Sequence, residues 1–199
     1  MIHLILGGAR SGKSRFALAW ANQRVLEHPV MQHKHFVATA EAMDTEMADR
    51  IQRHQRERGD DWQLAEVPLE LANYLQQGVQ QQGVQQPAVV LVDCLTLWLN
   101  NQLYHFPEQD FDALRTNLVA AVSQCQGDSK QDLVLVANEV GLGIVPMGEV
   151  SRVFVDQAGW LNQALAQVAD NVTFVAAGLP MTLKGDACRH QGAVRDHSN

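Results

Sequence analysis

The sequence predicts an α/β fold: a mostly parallel sheet with helices on both faces. Three observations carry that expectation. Short apolar runs alternate with longer helix-forming segments along the chain. Several runs, such as "IHLIL" (2–6) and "AVVLVDCL" (88–95), are apolar almost throughout, as strands covered on both faces must be. The first of them ends at Gly7-Gly8 and opens onto a helix-forming segment.

The elements follow in order. After "IHLIL", the segment "KSRFALAWANQRV" (13–25) has a helical pattern, and "HFVATA" (35–40) is a second strand. "DTEMADRIQRHQRER" (44–58) is a helix with Asp44 as N-cap and Gly59 as its stop, which puts Met47, Ile51 and His54 on one face. "WQLAEV" (62–67) alternates like a strand. Residues 69–86 begin helical and pass into a glutamine-rich loop. "AVVLVDCL" is a buried strand, followed by helices through "LTLWLNNQL" and "FDALRTNLVAAVSQC". "DLVLVANEV" (132–140) is the next strand, 149–169 a long helix, and "VTFVAAG" (172–178) the last clear strand. No domain boundary or internal repeat interrupts the pattern. The expectation is a single catalytic domain over 1–185 and a polar tail over 186–199.

Composition narrows the function. The 199 residues hold 46% hydrophobic and 19% charged side chains, with a formal net charge of −7. An acidic chain of this kind lacks the basic face of a nucleic-acid binder. No apolar run approaches the roughly 20 residues needed to span a bilayer, and the N-terminus has no signal-peptide pattern. Cys94, Cys125 and Cys188 are widely spaced and form no CxxC pair, which points to reduced thiols and a cytoplasmic setting.

"GGARSGKS" (Gly7, Gly8, Ala9, Arg10, Ser11, Gly12, Lys13, Ser14) fits G-x-x-x-x-G-K-[ST] in the required strand–loop–helix context. Successive backbone N–H groups and the helix N-terminus wrap phosphates there. Lys13 brings a cation to the β- and γ-phosphates, as a catalytic group. Ser14 is a candidate Mg²⁺ ligand. Gly7 and Gly12 allow backbone geometry and close approach that a Cβ would block. Asp93 ends the strand "VVLVD" and is the candidate partner for the same Mg²⁺; the alternative is an N-cap for the following helix. Glu139 is a second carboxylate at the same sheet edge, suited either to metal, water or substrate, or to solvating its loop. "DCLT" and "NEVG" match neither the DxxG nor the NKxD of a regulatory GTPase.

Beyond the loop, the chain carries "VATAEAMDTEMADRIQRHQRER", "LVDCLTLWLNN", "VANEVGLGIVPMGEVSRVFVDQAGWLNQALA" and "VAAGLPMTLKG", in that order. With "GGARSGKSRFA", these resemble the bifunctional adenosylcobinamide kinase/adenosylcobinamide-phosphate guanylyltransferase family of cobalamin biosynthesis, from residue 2 to about 185. Residues 26–34 and 76–86 look like insertions, and neither removes a motif residue.

The resemblance implies a P-loop NTPase-like, RecA-like fold with ATP, GTP, adenosylcobinamide and adenosylcobinamide phosphate as substrates, and a homo-oligomer, a trimer. It implies that His54, within "RIQRHQRER" (50–58), is the histidine that becomes guanylylated. An imidazole nitrogen is a competent nucleophile for the α-phosphorus of GTP, and neighbouring arginines disfavour imidazolium and keep the ring nucleophilic. It implies further that Ala38, Thr39, Ala40, Gln55, Arg56, Glu57, Arg58, Glu66 and Asp93 line the guanine nucleotide site. On charge pattern alone Arg56 is equally a plain surface cation, and Glu66 equally a solvent-facing strand residue. "GLGIVP" (141–146) is either a substrate loop or a glycine-rich crossover. His28, His33, His35 and His105 are expected to be solvated.

Overall fold

The computed structural model describes residues 1–31, 33–41, 59, 61–78, 87–125 and 131–185. The expected helix over 44–58, with His54, Gln55, Arg56, Glu57 and Arg58, and the tail over 186–199 lie outside the described residues.

The chain forms a seven-stranded sheet in the order β3-β2-β4-β5-β1-β6-β7. The strands are β1 (Ile2–Gly7), β2 (His33–Ala38), β3 (Gln63–Glu66), β4 (Ala88–Asp93), β5 (Gln131–Asn138), β6 (Asn171–Ala176) and β7 (Leu179–Lys184). β1 to β6 pair in parallel, and β7 pairs antiparallel to β6. The helices are α1 (Lys13–Glu27), a short α2 (Leu71–Asn73) that continues as a π-helical turn over Tyr74–Gly78, α3 (Leu95–His105), α4 (Phe111–Gln124) and α5 (Glu149–Val168).

The central strands explain the apolar runs. Every residue of β1 is buried, as are Ala88–Val92 of β4. One face of the sheet packs on α1, where Ile5, Val89, Leu91, Val134 and Val136 meet Ala17 and Ala21. The other face packs on α3, α4 and α5 through Trp98, Leu118, Val122, Leu161 and Leu165. The small alanines of α1 allow its axis to lie close to the sheet, which fixes the position of the loop that precedes it.

Two expectations need correction. "VTFVAAG" is not the last strand, because the chain reverses at Ala177-Gly178 and adds β7. Both turn residues have positive φ, 51° and 78°. That is the geometry of a tight hairpin, usually written Asn-Gly or Gly-Gly; Ala-Gly lacks that signature. His35 is not solvated. It is 2% exposed, on the same face of β2 as the core residue Val37, and burial followed by the charge of His33 lowers its pKa. His105 is partly exposed and pairs with Glu41 at 2.9 Å, and His28 pairs with Arg24.

Candidate active site at the carboxyl edge of the sheet

Parallel pairing brings the C-terminal ends of six strands to one edge. Gly7 sits beside Asn138 and Val175, Ala38 beside Glu66 and Asp93, and Asp93 beside Val136. Residues far apart in sequence thereby share one rim: the 7–14 loop, Ala38–Ala40, Glu66, Asp93 and Glu139. A crevice outside the carboxyl ends of parallel strands is where α/β sheets bind ligands.

The 7–14 loop is shaped by its glycines. A Cβ on Gly7 would lie 2.5 Å from the carbonyl oxygen of Val175 and 2.5 Å from Ser11 Oγ, so only glycine fits. Gly12 is the N-cap of α1 with φ 93°, and a Cβ there would meet Gly178 Cα at 3.2 Å. At Gly8, by contrast, an added Cβ would meet nothing within 4 Å. The loop closes with Ser11 N–H donating to Gly8 O at 3.2 Å and Phe16 N–H donating to Gly12 O at 2.9 Å. The β6–β7 turn braces it from outside, Gly178 N–H donating to Ser11 O at 2.8 Å. The sequence reading did not single out Gly178; its one signal is a glycine directly after an apolar run.

Lys13 begins α1 and is only 6% exposed. Its Nζ donates to Gly8 O at 3.2 Å, which folds the side chain back across the loop that would hold phosphates. Ser14 follows, half-buried, in the first turn of α1. Arg10, at the loop apex, is exposed with φ 56°. Ala9 is exposed beside it.

Asp93 ends β4 on the α1 side of the sheet. It is not the N-cap of α3: that position belongs to Cys94, which makes no side-chain capping bond. Burial pushes the Cys94 thiol up to about 11, the Asp93 charge adds to the rise, and Lys13 opposes it. The charges of Asp93 and Lys13 thus act in opposite directions on the same buried thiol. A hydroxyl from Ser14 and a carboxylate from Asp93 are hard oxygen donors that suit Mg²⁺, which is normally held by one or two protein groups together with substrate phosphates and water.

Thr39 is fully buried and fastens β2 to the start of α3. Its hydroxyl donates to Cys94 O at 2.7 Å and accepts from Cys94 N–H at 2.9 Å, while its carbonyl accepts from Asn101 Nδ2 at 2.8 Å. Its side chain therefore holds the rim together, and half-buried Ala38 and Ala40 flank it. Glu66 is exposed at the end of β3. The turn that follows is anchored by Trp98 Nε1 and Gln102 Nε2, both donating to Leu69 O at 2.8 Å. Glu139 N–H donates to Gly7 O at 3.1 Å, and Glu139 Oε1 accepts from Gly141 N–H at 2.8 Å. The carboxylate is thus turned into its own loop. Residues 141–147 are largely exposed, with Ile144 at 97% and Met147 at 96%.

This rim can hold a nucleoside triphosphate in the 7–14 loop, neutralise its charge with Lys13 and place oxygen ligands for a divalent cation at Ser14 and Asp93. Comparison with known proteins gives the family. A family model described as cobinamide kinase / cobinamide phosphate guanyltransferase matches residues 3–183. The bifunctional adenosylcobalamin biosynthesis protein CobP of Pseudomonas aeruginosa is 45% identical over 186 residues, covering 94% of this chain and 99% of that protein. The bifunctional adenosylcobalamin biosynthesis proteins CobU of Escherichia coli and Salmonella typhimurium are 34% and 35% identical, each match covering 92% of this chain and 100% of the relative. The chain belongs to the cobinamide kinase / cobinamide phosphate guanyltransferase family.

Proposed function

We propose that this protein phosphorylates adenosylcobinamide with ATP or GTP and then transfers GMP from GTP to the product, giving adenosylcobinamide-GDP. The observation that carries the reading is the family match across nearly the whole chain, supported by a glycine-closed loop that a buried Lys13 crosses.

In the first half-reaction the hydroxyl of the aminopropanol arm attacks the γ-phosphorus. Such transfer depends on positioning and charge neutralisation. Lys13 and the loop N–H groups bind the phosphates, and Ser14 and Asp93 would hold Mg²⁺, which would supply further charge neutralisation. In the second half-reaction the imidazole of His54 attacks the α-phosphorus of GTP and pyrophosphate leaves. The phosphate of adenosylcobinamide phosphate then attacks the guanylyl-histidine and regenerates the imidazole. Ala38–Ala40, Gln55–Arg58, Glu66 and Asp93 line the guanine nucleotide site. The working unit is a homo-oligomer, a trimer, in the cytoplasm. Exposed Leu142, Ile144, Val145 and Met147 on one loop, and Leu179, Met181 and Leu183 along β7, supply apolar surface for such an assembly or for the corrin substrate. Among the described residues no helix is long and apolar enough to cross a membrane.

The test is exposure to GTP labelled at the α-phosphate, followed by denaturation. The wild type is expected to retain label that is labile in acid and stable in base, as a phosphoramidate is. His54→Ala and His54→Asn should retain none while still phosphorylating adenosylcobinamide. Wild-type label on either variant would move the nucleophile elsewhere.

A further inference from the structure

β5 lies between β1 and β4, so the phosphate loop and Asp93 stand two strand spacings apart, about 10 Å. The residue between them at this edge is Asn138. It is registered beside Gly7, and it lies two residues beyond Val136, the register partner of Asp93. Side chains two apart on a strand share a face. Asn138 therefore projects with Val136 and Asp93 to the side that carries α1, and Val134 and Val136 pack there with Ala17 and Ala21.

The backbone of Asn138 is fully engaged. Its N–H donates to Thr96 Oγ1 at 2.6 Å, and its carbonyl accepts from Asn162 Nδ2 at 3.2 Å. The side chain is different. Oδ1 is buried and accepts no hydrogen bond among the described residues. A buried acceptor without a donor is costly and uncommon. Two other polar side chains of the rim are committed elsewhere, Thr39 to Cys94 and Glu139 to the N–H of Gly141, whereas Ser11 Oγ in the phosphate loop is, like Asn138 Oδ1, buried without a partner among the described residues.

We propose that Asn138 is a further substrate-contacting residue of phosphoryl transfer, its Oδ1 accepting the hydrogen bond of an O–H group held at the γ-phosphate. That group is the attacking alcohol. In the reaction the alcohol oxygen bonds to the γ-phosphorus as the bond from that phosphorus to the β–γ bridging oxygen breaks. The nucleoside diphosphate leaves. A neutral amide cannot take up the hydroxyl proton, which passes to solvent; the amide only orients the donor.

The inference rests on the kinase reading of the phosphate loop, so the wild type is assayed alongside. Asn138→Leu keeps the volume and removes the acceptor, and Asn138→Ala serves if leucine does not fold. Each is expected to keep the wild-type melting temperature or exceed it, because a buried orphan acceptor is removed. The kcat of adenosylcobinamide phosphorylation should fall about tenfold or more, with both KM values within about twofold. Added Mg²⁺ should not restore the rate, and α-labelled GMP should still reach the protein at the wild-type rate, because only the orientation of the alcohol is lost; full rescue by Mg²⁺ overturns the proposal. Folded variants with wild-type kcat, or with only KM changed, overturn the proposal. A wild type that does not phosphorylate adenosylcobinamide overturns the kinase reading itself, and this inference with it.

Discussion

Two loops leave the same edge of the sheet at the same height, since Gly7 and Asn138 are register partners, and each leads into a long helix. They are built in opposite ways. The 7–14 loop is closed on itself, braced by Gly178 and anchored by a buried Lys13. The 139–148 loop touches the first through Glu139 N–H and then runs outward with apolar side chains in solvent. Its Gly143 would tolerate a Cβ, with nothing within 4 Å. One loop is complete as a phosphate cradle made of its own backbone. The other leaves Leu142, Ile144, Val145 and Met147 exposed along one stretch. Affinity for a small charged group needs fixed N–H groups, whereas an exposed apolar segment needs a large partner surface.

Matched glycine substitutions break this comparison most sharply. Gly7→Ala should cost about 1–3 kcal/mol, because its Cβ would run into the Val175 carbonyl, a backbone atom that cannot swing aside. It should also abolish nucleotide binding. Gly143→Ala should leave melting temperature and nucleotide affinity unchanged. Thermal unfolding with and without GTP reads both, and equal effects at the two sites would remove the distinction.

Acid should separate the loops by a smaller effect. His3 lies under α1, 1% exposed, with its Nε2 2.9 Å from Thr173 Oγ1 and its ring against Trp20 and Phe16. Burial lowers its pKa from 6.5 to about 4. Between those values the unfolded chain binds a proton that the folded chain refuses, so the stability of the neutral ring is present above the window and lost as pH falls through it. His35, also lowered by burial, adds in the same direction. Unfolding free energy should therefore drop between about pH 6.5 and pH 4, with a shallower slope in His3→Gln. Amide exchange in α1 should speed up before that in α5. An unchanged slope in His3→Gln would exonerate His3.

The smallest effect belongs to the exposed loop. Ile144→Ser should not shift the melting temperature of dilute protein, since the side chain is 97% exposed. It should weaken either self-association, read by sedimentation, or KM for adenosylcobinamide. No change in either would leave the apolar loop without a role.

How much of this was legible in the sequence follows from how local each constraint is. The phosphate loop could be read because its glycines answer to backbone geometry within eight residues. The buried strands could be read because coverage on both faces forces apolar runs. β7 escaped notice because its turn, Ala177-Gly178, lacks the usual residues for positive φ, and because its alternating run is short, carries Pro180 and leaves Leu179, Met181 and Leu183 exposed. His35 was expected in solvent because its burial comes from tertiary packing on the face it shares with Val37, which no local pattern reveals. The commitment of Thr39 to Cys94, 55 residues away, is likewise a product of register. Family resemblance, not periodicity, singled out His54.

Both half-reactions begin with a nucleoside triphosphate and the chain has one sequence that fits a phosphate loop, so Lys13 is expected to serve both. Lys13→Ala tests it most directly, with adenosylcobinamide phosphorylation and GMP transfer from GTP measured separately on folded protein. Both rates are expected to fall by about a hundredfold or more, the scale for losing one preorganised charge contact at the reacting phosphates. Wild-type turnover in either reaction would place that half of the chemistry at a different site and contradict the account.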